Sequence, residues 1–190
     1  MRGPTRRTTL AAAFLLCAGM ASAQGPEPAL KALSDGGAVA LMRHASAPGT
    51  GDPANFRLGS CETQRNLDEA GRGDAAEIGR RLRAAGILVT QVRASRWCRG
   101  LETASLAFPD VPTVPDSALD SLVGADAPQV ARQTRNARAM IARWSGRQGV
   151  LVLVTHAVNI EALTGLGVAE GEIVVLQPRR DGFDVVGRLR

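Results

Sequence analysis

Val150-Leu151-Val152-Leu153-Val154-Thr155-His156 is an unbroken apolar, β-branched run that ends on one of only two histidines in the chain. The other histidine closes a second run, Val39-Ala40-Leu41-Met42-Arg43-His44. Continuous apolar segments of this kind suit strands buried on both faces of a parallel sheet. In such a sheet, residues at the carboxyl ends of the strands meet in the ligand crevice. The two runs therefore predict that His44 and His156 come together at one sheet edge. An imidazole there can attack phosphorus through one nitrogen while a hydrogen bond to the other fixes its tautomer. Arg43, directly before His44, offers a planar donor fork for phosphate oxygens.

Outward from these runs, strand and helix alternate. Ala29 to Leu33 predicts a short helix leading through Gly36-Gly37 into a strand over 38–43. Residues 45–65, rich in Gly, Pro, Ser and Asn, read as a long loop of the kind that is usually functional. Asp68 is placed to cap a helix over 69–85, with Ala75, Ile78, Leu82 and Ala85 at helical spacing and Gly86 as its stop. A strand over 88–94, a helix over 98–108 and a short extended segment at 111–114 follow. Val130, Thr134, Ala137, Ile141 and Trp144 lie along one side of a third helix over 126–144. After the 150–154 strand come a helix over 159–165 and two strands, 172–177 and 183–188, about the turn Arg180-Asp181-Gly182. The expected fold is α/β: three layers, α/β/α, with a mostly parallel central sheet and an antiparallel C-terminal edge.

The first residues read as a targeting segment. Arg2, Arg6 and Arg7 precede a short apolar stretch, Leu10 to Met20, and Ala21-Ser22-Ala23 offers a small-x-small cleavage site. The expectation is a cleaved signal peptide at 1–23, a single domain at 24–190, and export, with the periplasm as the destination. The apolar stretch is too short to span a bilayer, so no stable membrane insertion is expected. Removal of 1–23 takes away three arginines and no acids, lowering the formal charge from +5 to +2. That modest charge, with an aromatic content of 3%, argues against a nucleic-acid partner. The remaining cysteines, Cys61 and Cys98, either form a disulfide in an oxidising compartment or are unrelated thiols. Metal-ligand spacing is absent, and neither a metal nor a cofactor is expected.

Ser95-Arg96-Trp97-Cys98-Arg99-Gly100-Leu101-Glu102-Thr103-Ala104 follows the 88–94 strand and opens a helix, whose N-terminus favours anions. Arg99 there is either a second arm of a phosphate clamp or a solvated surface arginine. Taken together, Leu41-Met42-Arg43-His44, Asn66-Leu67-Asp68-Glu69-Ala70-Gly71, Ser95 through Ala104 and Val154-Thr155-His156 resemble the histidine phosphatase superfamily. The resemblance runs through nearly all of residues 38–178. It implies the phosphoglycerate-mutase-like fold, with His44 as the nucleophile that becomes phosphorylated and Arg43, Arg99 and His156 completing the phosphate pocket. The chain departs from the family's arginine-histidine-glycine at Ala45. It also has Ala157 after the second histidine, which excludes the His-Asp pair that supplies the acid in phytase-like branches.

A narrower likeness lies in Cys61-Glu62-Thr63-Gln64-Arg65-Asn66-Leu67, Trp97-Cys98-Arg99 and His156-Ala157-Val158-Asn159-Ile160. These look like small exported members associated with removing phosphate from lipopolysaccharide core heptose. The expectation is thus a phosphomonoesterase working without metal on a phosphorylated small molecule or glycan. The alternative is a non-catalytic phosphosugar-binding protein that keeps the pocket. The leaving-group acid is expected at Asp120, where related phosphatases place one; Glu161, Glu62 and a structural role for Asp120 are the alternatives. Arg65, Gln64 and Asn159 are either substrate contacts or loop braces. Nothing in the sequence fixes the oligomeric state.

Overall fold

The computed structural model describes residues 26–190. The targeting segment expected at 1–23, with Cys17, lies outside the described residues. Strand β4, Val150–Thr155, is buried along its whole length, as its unbroken apolar sequence requires. It lies between β1 (Val39–Arg43) and β2 (Val89–Ala94) in a six-stranded sheet. β3 (Thr113–Pro115) flanks β2, and the hairpin of β5 (Ile173–Arg179) and β6 (Gly182–Leu189) extends the sheet beyond β1. The β3-β2-β4-β1 ladders are parallel; β5 runs antiparallel to both β1 and β6.

Alternate side chains of the central strands feed two apolar layers. Ala40, Met42, Val152 and Val154 pack with Leu33 of α1 (Pro26–Asp35), Leu82 of α2 (Glu69–Ala84) and Ala104 of α3 (Cys98–Ala107). On the other face, Leu41, Leu151 and Leu153 meet Ile141 of α4 (Ala127–Ala142) and Ile160 of α5 (Ala157–Thr164). Each such Val or Leu, fully buried, contributes roughly 1.5–3 kcal/mol. The expected three-layer α/β/α domain with its antiparallel strands on the C-terminal side is what forms.

Local signals explain most of the boundaries. The Asp68 carboxylate caps α2 by accepting from the Gly71 amide, and Asp126 caps α4 by accepting from the Gln129 amide. α5 ends where Gly165 takes a left-handed conformation. One boundary differs from expectation in a way that matters: α5 begins at Ala157, not 159, so His156 itself is the N-cap residue. The rigid end of β4 thus turns straight into a helix, and the imidazole has no loop on which to move.

The 45–65 loop is ordered by its own bonds. Thr63 Oγ1 donates to the Ser60 carbonyl, and the Arg65 guanidinium reaches back to the Gly51 and Ala47 carbonyls. Cys61, in a short 3-10 turn, is disulfide-bonded to Cys98 at the start of α3, with Cα atoms 5.7 Å apart.

Two predictions follow from packing. Gly79 faces α3, and a Cβ there would overlap the Ala107 carbonyl, whereas Gly73 in the same helix has open space. Gly79→Ala should destabilise by about 1–3 kcal/mol through overpacking. Gly73→Ala should stabilise by about 0.5–1 kcal/mol through helix propensity. Urea midpoints moving in the same direction would contradict the close α2–α3 approach. The Cys61–Cys98 bond closes 37 residues of sequence separation. Its loss should cost ~3–4 kcal/mol in the chain-entropy description. Thiol titration of denatured protein from an oxidising compartment should find neither cysteine free, and two reactive thiols would refute the bond.

Candidate active site

The parallel register of β1 and β4 sets Arg43 opposite Thr155, and the His44 amide donates to the Thr155 carbonyl at 3.0 Å. His44 and His156 therefore stand side by side, ring centroids 5.3 Å apart and planes at 67°. Both are almost fully buried, at 2% and 4% exposure. They lie in a cavity of about 420 Å3 at the carboxyl ends of the strands, lined also by Arg43, Arg65 and Arg99.

Each imidazole is fixed by one neighbour. His44 Nδ1 lies 2.8 Å from its neighbour's carbonyl, Ala45 O, which can only accept. The Nδ1 of His44 therefore carries the proton, and Nε2 keeps its lone pair. His156 Nε2 lies 2.8 Å from Ser95 Oγ, at the end of β2. Burial is the main cause lowering the His44 pKa; the Ala45 bond opposes it, Arg99, Arg43 and Arg65 reinforce it, and the value falls to about 3. His156 is lowered well below the usual imidazole range, first by burial and then by His44 and Arg99. A neutral His44 is the form that can attack phosphorus.

The arginines are held by groups the sequence reading overlooked. Asp52 grips Arg99: its Oδ1 accepts from Nη1 at 2.8 Å and its Oδ2 from Nη2 at 3.2 Å. The Arg65 amide (3.0 Å) and Trp97 Nε1 (2.9 Å) donate to the same carboxylate. Burial works against the Asp52 charge, but the bonds from Arg99, the Arg65 amide and Trp97 outweigh it and hold the carboxyl below its ordinary range. Arg43 donates to the Val168 carbonyl and to Glu170, at 3.0 and 3.1 Å. Asp52 had a signal: it is the lone acidic residue between His44 and Cys61. Glu170 had none, because only the β1–β5 pairing brings the turn before β5 to Arg43.

Five other expected positions, Asp120, Glu161, Glu62, Gln64 and Asn159, lie off the cavity lining. Asp120 accepts from the Arg96 amide through Oδ1 and from the Arg96 guanidinium through Oδ2, and it is not among the residues lining the cavity. Glu161 and Glu62 are exposed and also lie off the cavity lining. Gln64, expected either as a substrate contact or as a loop brace, makes bracing bonds: its Oε1 accepts from the Cys98 amide and its Nε2 donates to the Arg57 carbonyl. Asn159 is likewise a brace, donating to the Asp120 carbonyl and accepting from the Leu122 amide, which sets the segment bearing Ser121 and Val123. Of the three expected substrate contacts, Arg65 alone lines the cavity. The Ala45 methyl packs with Ala47, Leu67 and Ala75 and does not line the cavity, so this departure from glycine leaves the cavity open. Among the described residues, no group of three or more His, Cys, Asp or Glu side chains is arranged to hold a metal ion.

No family model and no curated protein matches this sequence. Solved structures do match its fold, and they are members of the histidine phosphatase superfamily. The protein histidine phosphatase SixA, complexed with tungstate, superposes with a TM-score of 0.59 at 13% identity, covering 80% of this chain and 96% of that one. A phosphoserine phosphatase from Entamoeba histolytica, in complex with 3-phosphoglyceric acid, gives 0.60 at 11% identity over 80% and 96%. The Bombyx mori ecdysone phosphate phosphatase, also with tungstate, gives 0.57 at 15% identity over 79% and 92%. The chain therefore has the histidine phosphatase fold.

The depressed His44 pKa has a measurable consequence. Between about 3 and the ordinary 6.5, the unfolded chain takes up a proton that folded His44 excludes. Stability is accordingly full above the ordinary value and falls as the pH drops toward the lowered one. Urea unfolding at about pH 7.5 and pH 5 should show the wild type losing more stability between the two than His44→Asn. Equal losses would mean that His44 is protonated in the folded protein.

Proposed function

We propose that this chain is a phosphomonoesterase that works through a phosphohistidine on His44. The observation that carries the reading is a neutral imidazole, tautomer fixed by Ala45 O, in a buried cavity lined by three arginines and a second histidine. Arg43, Arg65, Arg99 and His156 hold the phosphoryl oxygens. His44 Nε2 forms a bond to phosphorus as the ester P–O bond breaks, its electron pair leaving with the alcohol oxygen. Water then attacks the phosphorus, the P–N bond breaks back onto Nε2, and phosphate departs. Positioning and charge stabilisation supply most of the acceleration, and the steps use only this chain's side chains and water.

Export belongs to the same proposal, supported by the basic, apolar and small-residue pattern of 1–23 and by the Cys61–Cys98 pair. A second reading of the substrate, a phosphorylated sugar of the lipopolysaccharide core, rests only on the short motifs around Cys61, Trp97 and His156. Among the described residues no helix is long and apolar enough to cross a membrane.

Mixing the protein with radiolabelled aryl phosphate and quenching in alkali, which spares phosphoramidates, should trap a labelled enzyme. His44→Ala should abolish both label and turnover, and His156→Ala should leave a folded protein with severely reduced labelling. Near-normal turnover by His44→Ala would overturn the assignment. Tight phosphate binding without any burst of product would instead identify a non-catalytic binder.

A further inference from the structure

The cavity above His44 changes character from floor to mouth. His44, Arg99 and His156 are buried at its floor, whereas Pro53 and Val123 are exposed and Phe56 and Trp97 half-exposed around it. The Phe56 and Trp97 rings stack with centroids 5.0 Å apart and planes at 22°. Val123, which lines the same cavity, is 70% exposed. Two aromatic rings and an uncovered valine at the mouth of a phosphate site form an apolar surface suited to the non-phosphate part of a ligand.

The second observation is where the carboxylates stand. Expelling a sugar or alkyl oxygen requires a proton donor, whereas an acidic hydroxyl leaves as its anion unaided. Asp52 is the one carboxylate lining the cavity among the described residues. Its oxygens accept four hydrogen bonds, from Arg99 Nη1, Arg99 Nη2, the Arg65 amide and Trp97 Nε1, which fills its capacity. Asp120 is bound to Arg96 and Glu170 to Arg43. Among the described residues, no carboxyl other than Asp52 lines the cavity.

We propose that the site takes phosphate esters of acidic, planar hydroxyl compounds, phenols being the type, with the ring held against the Phe56–Trp97 pair. This rests on the phosphohistidine reading and specifies its leaving group. The P–O bond breaks with its electron pair on the phenolic oxygen, which is protonated by water after departure. A sugar phosphate offers neither an acidic hydroxyl nor an aromatic face.

The test uses the whole protein with three kinds of phosphate donor: acetyl phosphate, a series of substituted phenyl phosphates, and glucose 6-phosphate. Phenyl phosphate should exceed glucose 6-phosphate in kcat/KM by more than about 100-fold, the low end of what a general acid would otherwise supply. Rates within the phenyl series should climb steeply with leaving-group acidity. Phe56→Ala should cut the preference for phenyl over acetyl phosphate about tenfold, chiefly through KM, as loss of an aromatic contact implies. Phe56→Leu, which keeps an apolar side chain, should fall the same way if only the ring stack matters and guards against misfolding of the alanine variant. A smaller preference over glucose 6-phosphate, or a flat phenyl series, would show that a proton donor exists and overturn the proposal. Parallel losses on phenyl and acetyl phosphate would show that the rings merely hold the loop, and would overturn it too. Acetyl phosphate separates the two readings: failure to label His44 from it sinks the phosphohistidine, whereas labelling without ring preference sinks only the leaving-group assignment.

Discussion

The parallel pairing of β1 with β4 is the constraint on which the rest of this molecule depends. It sets Arg43 against Thr155 and so delivers His44 and His156 to the same height at the sheet edge. Neither histidine stands on a mobile loop. His44 is tied by its amide to the Thr155 carbonyl and by its own carbonyl to the Gly171 amide, and His156 caps α5. Ladder hydrogen bonds and two apolar layers hold these strands, so the imidazole geometry is as rigid as the core itself.

That placement creates an electrostatic problem, which the surrounding loops resolve. Three arginines converge on a cavity whose two histidines are buried, which disfavours charge on either imidazole. Uncompensated, such a concentration of cations would oppose folding. Asp52 and Glu170 answer it from two separate segments, one gripping Arg99 and the other Arg43. Because Asp52 also accepts from the Arg65 amide and from Trp97, one carboxylate joins the long loop, the cavity-lining Arg99 and the aromatic mouth. The Cys61–Cys98 bond and the Gln64 bond to the Cys98 amide clamp the same loop to α3 at a second point. The loop is thereby a wall of the pocket.

The sequence carried the sheet and the reacting groups because both are written in local chemistry. Unbroken apolar runs specify strands buried on two faces, and a histidine following each run is delivered to the carboxyl edge by strand geometry alone. The caps at Asp68 and Asp126 and the stop at Gly165 mark helix ends by bonds spanning only a few residues. What was not legible is the set of partners each polar side chain finds across the fold. Asp120, Gln64 and Asn159 have the composition of site residues, yet Arg96, the Cys98 amide and the Leu122 amide claim them, which no spacing rule reveals. The Asp52 and Glu170 contacts cross 47 and 127 residues of sequence. A carboxylate acts as acid, ligand or brace according to which donors saturate its lone pairs, and tertiary packing decides that. The sequence by itself thus determined the layered sheet and the pairing of His44 with His156. Only the tertiary structure decided which charges surround them and that Asp52, the one carboxylate lining their cavity among the described residues, is taken up by Arg99, the Arg65 amide and Trp97.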